Sequence, residues 1–326
     1  MEFNKFIIEK NKKIIFTPGP SSLSIENIKN LGPYFGRGDK EYSKIENFVI
    51  SKLKKMSKKK KILCMQGSGS FAIEVMIVNY LYGRVLLIDT GVYSDRIKDL
   101  IKFYKKNLKK INYLKSVSWK DLNTIDAKYD WVVGCYTETS IGLKIPIDSL
   151  SKLKKKTGGK LMLDATASFG LENKHYLADV FSFSSCKGLF GLTGACFIAS
   201  NWIPNNKLSF NLNIDSFKNK KMTGPYHSIS SLYYVLKNYN KFKKSVLVNK
   251  KKCLKLGKKF LVYPKKFQPN LCTYLKCKII PKRKNIVMYK SRANIMGEIV
   301  CHLGETHLKN RSKGKILDYL KFDKFK

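Results

Sequence analysis

The 326-residue sequence has no uninterrupted apolar run of the ~20 residues that a helix needs to cross a bilayer. Its opening stretch, MEFNKFIIEKNKKIIF, alternates charged with apolar side chains and so lacks the continuous apolar segment of a signal peptide. These two absences predict a soluble cytoplasmic protein. Because 44% of the residues are nevertheless apolar, the chain can bury a full core and form a large domain with a smaller one.

Closely paired cysteines are also missing, because the eight cysteines are scattered and include no CxxC pair. We therefore predict reduced, mostly buried thiols rather than a disulfide framework or a zinc site. His302 and His307 flank Glu305, but a spacing of five residues does not place two ligands on one helical face. We expect no metal site there.

Acidic residues are scarce. The sequence has 23 acidic and 64 basic residues, which gives a formal net charge of +41. Such an excess can bind nucleic acid or anionic membranes. However, the lysines are spread along the whole chain, and arginine, which suits bidentate phosphate and base contacts, is rare. We interpret the charge as lysine-biased composition on solvated faces and expect neither nucleic acid nor membrane as a partner. A non-catalytic, nucleic-acid-binding protein is the alternative, and it predicts steeply salt-dependent binding.

Strand-like and helix-like patterns alternate through the first part of the chain. Strands are predicted within residues 60–70, 84–91, 129–138, 160–168, 179–187 and 194–200. Helices are predicted over residues 40–56, 71–82, 92–107 and 147–158. This alternation is typical of an α/β fold with a mostly parallel sheet between helices.

The pattern changes near residue 241, where lysine becomes denser and the apolar runs become shorter. We therefore predict a large domain of residues 1–240, with an N-terminal arm over residues 1–20. Residues 241–326 are predicted to form a small C-terminal α+β domain.

Polar residues follow several predicted strands, at the sheet edge where open α/β folds bind ligands. The stretch QGSGS precedes a helix and offers backbone N–H groups that suit a phosphate. Tyr93, Thr139, Asp164 and Lys187 each follow or end a predicted strand. Such a set contains the groups needed to hold pyridoxal phosphate: a phosphate cradle, a flat ring, a carboxylate and a lysine. Each also has an ordinary alternative, since Asp164 can cap a helix, Tyr93 can pack in the core and Lys187 can be one more surface lysine.

The order of these residues resembles the class V aminotransferases of pyridoxal-phosphate fold type I. The matching stretches, which together span most of the chain, are FTPGPSSLS, GSGSFAIE, GVYSDR, YTETSIG, LMLDATASFG, SSCKGLFGLTG, TGPYH and SRANIMG. Within the family they are most similar to the 2-aminoethylphosphonate–pyruvate aminotransferases. The resemblance implies amino-group transfer between 2-aminoethylphosphonate and pyruvate in phosphonate metabolism. Alanine–glyoxylate or serine–pyruvate transamination on the same fold is the alternative.

The resemblance also implies a role for each matching residue. Lys187 matches the lysine that forms the Schiff base, and Asp164 matches the carboxylate that pairs with the pyridine nitrogen. Tyr93 corresponds to the aromatic ring that stacks on the cofactor, and Thr139 to a hydroxyl near its phenolic oxygen. The residues that match the phosphate-binding turn or lie close to it are Ser68, Gly69, Ser70 and Ser185.

Three further residues concern the partner subunit and the substrate. Thr223 matches a residue that reaches the phosphate from a second subunit, which implies a homodimer with shared active sites. Arg292 matches the arginine that binds the anionic end of the substrate, and Ser21 is a further expected substrate contact. The sequence departs from the family pattern at Tyr136, Cys186, Ala293 and Asn294. These departures bear on the substrate more than on the cofactor.

Overall fold

A seven-stranded sheet lies at the centre of the computed structural model, which describes residue 5 and residues 12–22, 24–28, 31–34, 36, 38–303 and 314–325. Parts of the predicted arm, residues 1–4 and 6–11, lie outside the described residues, as do Glu305 and His307. The strands are β1 (Ile14–Phe16), β2 (Lys61–Gln66), β3 (Gly83–Asp89), β4 (Ile111–Ser118), β5 (Trp131–Cys135), β6 (Thr137–Glu138), β7 (Leu143–Lys144), β8 (Lys160–Asp164), β9 (Val180–Ser184), β10 (Ala195–Ser200), β11 (Cys272–Leu275), β12 (Lys278–Pro281), β13 (Ile286–Met288), β14 (Glu298–Cys301) and β15 (Leu320–Asp323).

The strand order across the central sheet is β2–β10–β9–β8–β5–β3–β4. Strand β10 runs antiparallel to both of its neighbours, and the other adjacent strands are parallel. Strands β5 and β9 are buried at every position, because helices cover both faces of the sheet, and such strands have near-continuous apolar sequences. The predicted α/β fold with a mostly parallel sheet is confirmed.

Helices pack on both faces of this sheet. The described residues include the helices α1 (Ile25–Ile28), α2 (Lys40–Ser57), α3 (Gly69–Tyr80), α4 (Val92–Leu108), α5 (Ile147–Thr157), α6 (Ile214–Lys218), α7 (Tyr226–Lys237) and α8 (Tyr239–Leu256). Alternate residues of β3 divide between two cores: Leu86 joins one that includes α2, α5 and α7, and Leu87 joins one that includes α3 and α4. In the described part of the chain, no helix is long and apolar enough to cross a membrane.

The C-terminal strands pair outside the central sheet. Strand β11 pairs with β14, β12 pairs with β15, and β1 pairs in parallel with β13. A third core joins Ile14 and Phe16 of β1 to Leu275 and Leu317. Helix α8 runs across the predicted domain boundary at residues 240 and 241, and that boundary stays a prediction.

His175 is buried among aromatic rings. Its ring centroid lies 5.0 Å from that of Tyr136 and 5.4 Å from that of Phe169, and its Nε2 lies 2.9 Å from Ser168 Oγ. Burial lowers the pKa of His175 to about 3, and the nearby Lys243 adds to the effect. The folded protein therefore keeps this imidazole neutral in mild acid.

We expect the free energy of unfolding to fall between pH 7 and pH 5, in part because of His175. The stabilisation from the neutral His175 ring is fully present above pH 6.5 and is lost as the pH falls. The reason is that His175 becomes protonated near pH 6.5 in the unfolded chain but only near pH 3 in the folded protein. The loss at pH 5 is about 2 kcal/mol. Urea titrations at both pH values should show a smaller loss for His175→Gln than for the wild type.

The exposed His227 provides the matched control for this titration. His227→Gln should keep the wild-type pH dependence. If His175→Gln also kept the wild-type pH dependence, burial of the His175 ring would not be the cause of that dependence.

Candidate active site

A cavity of about 580 Å³ lies at the carboxyl ends of the central strands. Cys135, Asp164 and Ser184, the last residues of β5, β8 and β9, line it. The predicted site residues that line the same cavity are Ser68, Gly69, Ser70, Tyr93, Thr139, Asp164, Lys187 and Arg292. The structure therefore brings most of the predicted site together.

The turn before α3 forms one wall of the cavity. Ser68 caps the helix, and its Oγ accepts a hydrogen bond from Phe71 N at 3.3 Å. A Cβ atom at Gly69 would lie 2.7 Å from Thr166 Cγ2, so this close approach requires glycine. The first turn of α3 carries no acidic side chain, and a helix N-terminus leaves backbone N–H groups free for an anion.

Asp164 is a buried carboxylate with few partners. It is 6% exposed, and its Oδ1 accepts a hydrogen bond from Thr166 N at 2.8 Å. The Cys135 thiol approaches its Oδ2 at 3.9 Å and also donates to Thr137 O at 3.2 Å. Burial and the Asp164 charge raise the pKa of Cys135, so the thiol stays protonated. Asp164 therefore keeps capacity to pair with a positively charged group in the cavity.

Lys187 is held by the turn that follows β1. A Cβ atom at Gly19 would lie 2.9 Å from Lys187 Cγ, and Gly19 has φ +138°, a conformation that favours glycine. The neighbouring Ser21 N donates to Cys186 O at 2.8 Å. The Lys187 amine lies 5.7 Å from the centroid of the Tyr93 ring. Among the described residues, no carboxylate lies within ion-pair distance of this amine.

Glu138 fixes the backbone that carries Tyr93. Its side chain is fully buried and accepts hydrogen bonds from Tyr93 N at 3.0 Å and from Ser140 N at 3.2 Å. It also accepts from Ser140 Oγ at 2.5 Å and from Thr90 Oγ1 at 3.3 Å. Burial raises the pKa of Glu138, and the hydrogen bonds from Ser140 and Tyr93 oppose that rise. No role for Glu138 was predicted from the sequence, where it lies between the polar residues Thr137 and Thr139.

Several hydroxyl groups in the cavity have no hydrogen-bond partner. The Oγ1 atoms of Thr137, Thr139 and Thr166 are buried and unpaired, and all three residues line the cavity. Buried hydroxyls are usually paired, because an unmet hydrogen bond costs free energy. These hydroxyls, the anion-binding turn, the aromatic ring, the carboxylate and the lysine fit pyridoxal phosphate.

Three predicted site residues lie outside this group. Ser185 is fully buried, and its Oγ lies 2.5 Å from Leu192 O and 3.0 Å from Ala195 O, within hydrogen-bond distance of both carbonyls. Thr223 lies in a different cavity, which is bounded in part by the edge strand β2. Ser21 is next to the cavity-lining Pro20, and its Oγ is buried without a partner.

The residues that depart from the family pattern are also spread out. Of the four, Cys186 lines the cavity, whereas Tyr136, Ala293 and Asn294 do not. The Tyr136 hydroxyl instead donates to Asn173 O at 3.0 Å. Next to Arg292, Ser291 Oγ donates to Ser140 O at 2.5 Å and ties that segment to the turn after Glu138.

No protein-family model matches the chain. It is 25% identical over 308 residues to a bifunctional phosphonoacetaldehyde hydrolase/aminoethylphosphonate transaminase of Clostridioides difficile, covering 82% of this chain and 48% of that protein. It is also 25% identical over 201 residues to a 2-aminoethylphosphonate–pyruvate transaminase of Pseudomonas putida, covering 58% of this chain and 55% of that one. The chain thus spans about half the length of these curated relatives.

Solved aminotransferase structures have a similar fold. An aspartate aminotransferase from Thermus thermophilus superposes with a TM-score of 0.77 and 17% identity, covering 93% of this chain and 99% of that one. An alanine–glyoxylate aminotransferase from Nostoc sp. superposes with a TM-score of 0.74 and 17% identity, covering 94% of this chain and 93% of that one. The relatives and structural neighbours are pyridoxal-phosphate-dependent aminotransferases of class V type, and the chain has the fold type I architecture of these enzymes.

Proposed function

We propose that the chain is a pyridoxal-phosphate-dependent aminotransferase that exchanges an amino group between 2-aminoethylphosphonate and pyruvate, giving phosphonoacetaldehyde and alanine. The observation that carries the proposal is the position of Lys187, Asp164 and Tyr93 in one cavity beside the helix turn at Ser68. The similarity to 2-aminoethylphosphonate transaminases supports this choice of substrates.

The residues that line the cavity would contact different parts of the cofactor. When bound, pyridoxal phosphate supplies an aldehyde that captures amines and a ring that accepts electrons from a carbanion. Tyr93 would stack on that ring, Thr139 would bind its phenolic oxygen, and Lys187 would hold its aldehyde carbon. The phosphate would lie against the turn formed by Ser68, Gly69 and Ser70.

Proton transfer falls to two side chains. The Lys187 amine would act as the general base that removes a proton from the donor carbon that carries nitrogen. Asp164 would pair with the pyridine nitrogen of the cofactor, where a carboxylate favours the protonated ring. The Cys135 thiol stays neutral beside it and adds no competing charge.

Arg292 is the proposed anchor for the acidic end of each substrate. A guanidinium group presents a planar fork of donors that matches a phosphonate or a carboxylate. Ser21, with its unpaired hydroxyl, is proposed as a second contact from the turn beside the cavity.

We also propose that two copies of the chain form a homodimer with shared active sites. Thr223 lies away from the cavity of its own subunit. In a dimer it would reach the phosphate of the second subunit from the face that carries the edge strand β2.

Lys187→Ala should abolish transamination while the fold is retained. The wild type should turn yellow with pyridoxal phosphate, and borohydride reduction should tag Lys187 in a peptide map. The exposed Lys174 gives a matched control, and Lys174→Ala should behave as the wild type does. Normal turnover by Lys187→Ala would contradict the assignment, and steeply salt-dependent nucleic-acid binding by both forms would favour the non-catalytic alternative.

Arg292→Gln should raise KM for 2-aminoethylphosphonate and for pyruvate by about 10- to 100-fold, because one charge-assisted contact is lost. The control is Arg283→Gln, whose guanidinium lies 3.6 Å from the Tyr319 ring centroid and does not line the cavity. Steady-state kinetics of both variants distinguish the sites. Unchanged KM values in Arg292→Gln would remove this residue from the substrate site.

A panel of amino donors tests the substrate itself. With pyruvate as acceptor, alanine formation should be fastest, by kcat/KM, with 2-aminoethylphosphonate rather than with serine. Alanine as the amino donor, with glyoxylate as the acceptor, should give a still lower kcat/KM. A preference for serine–pyruvate or alanine–glyoxylate would replace the substrates and leave the cofactor assignment intact.

A further inference from the structure

Arg96 is a positively charged residue that lines the cavity, and the proposed reaction assigns it no role. It lies on α4, three residues after Tyr93, so the two side chains share one face of the helix. Its guanidinium carbon lies 5.4 Å from the Tyr93 ring centroid. Its Nη1 donates a hydrogen bond of 2.8 Å to Ser70 Oγ, on the turn that begins α3.

The position of this charge is unfavourable without an anion. The N-terminus of a helix carries partial positive charge, and a cation placed there is repelled. Among the described residues, Arg96 forms no ion pair with a carboxylate, and the first turn of α3 contains none. The partners that the protein provides, the Ser70 hydroxyl and the Tyr93 ring, are both neutral. An anion bound between the Arg96 guanidinium and the positive N-terminus of α3 would attract both, and so would replace their mutual repulsion with two favourable contacts.

The choice of arginine also points to an oxyanion. The sequence has 6 arginines against 58 lysines, and two of the six, Arg96 and Arg292, line this cavity. On a solvated surface lysine serves as well as arginine. A fixed fork of N–H groups matters where two oxygens of one anion are bound together, which a lysine ammonium cannot do.

We propose that Arg96 binds the phosphate group of the cofactor, together with the turn at Ser68, Gly69 and Ser70. The inference rests on the proposed function, because that proposal identifies the cofactor. It gives the two cavity arginines separate anions: Arg96 takes the cofactor phosphate, and Arg292 takes the acidic end of the substrate.

Comparing pyridoxal phosphate with pyridoxal tests this directly, since pyridoxal has the same ring and aldehyde but no phosphate. Titrations of the apoprotein, followed by absorbance, should show that Arg96→Gln raises the Kd for pyridoxal phosphate by about 10- to 100-fold. The Kd for pyridoxal should not change. Arg96→Lys, which keeps the charge but not the fork, should fall between Arg96→Gln and the wild type. Inorganic phosphate should compete with the cofactor in the wild type and less effectively in Arg96→Gln.

Arg84→Gln is the matched control, because this guanidinium lies 4.6 Å from the Tyr113 ring centroid and donates to Lys128 O, away from the cavity. It should leave both affinities unchanged, and circular dichroism should show the same fold in all variants. Equal weakening of both ligands in Arg96→Gln would mean that Arg96 only ties α3 to α4, and no weakening would mean that it has no role. Either result overturns the inference, while cofactor capture at Lys187 by the wild type would still support the proposed function. A wild type that takes up neither ligand would overturn both.

Discussion

Parallel pairing between β5, β8 and β9 is the constraint on which the site depends. Asp164 is in register with Cys135 on one side and with Ser182 on the other. The carboxyl ends of these strands therefore meet at one edge of the sheet, and the loop to Lys187 begins there. A shift of the register by one residue would turn Asp164 to the other face of the sheet and remove it from the cavity. The cores on both faces prevent that shift, because it would also expose the apolar side chains that they bury.

Polar groups in and around the cavity are of two kinds. The Glu138 carboxylate accepts several hydrogen bonds from the protein, and so it fixes the backbone near Tyr93. The hydroxyls of Thr137 and Thr139 are buried without any partner. Glu138 is thus paired within the protein, whereas these two hydroxyls line the cavity and have no partner there.

Much of the architecture follows from the sequence, because apolar periodicity marks each buried element. The segments predicted within residues 60–70 and 147–158, for example, contain β2 and α5. Strand β4 was not predicted, because it lies at the sheet edge, polar residues interrupt its apolar ones, and only Ile111 is buried. The insertion of β10 between β2 and β9 could not be predicted either, since strand order depends on long-range pairing rather than on local pattern.

The site shows the same limit at the level of single residues. Motifs gave Lys187 and Asp164 from their order along the chain, but Arg96 emerged only when α4 was placed beside the start of α3. The net charge of +41 was a poor guide to chemistry, because the lysines that produce it are spread along the whole chain. Arginines stand out in such a chain because they are rare, and their fork of N–H donors is a property that lysine does not have. Rare residues in a biased sequence are therefore a better starting point for locating function than the charge that dominates it.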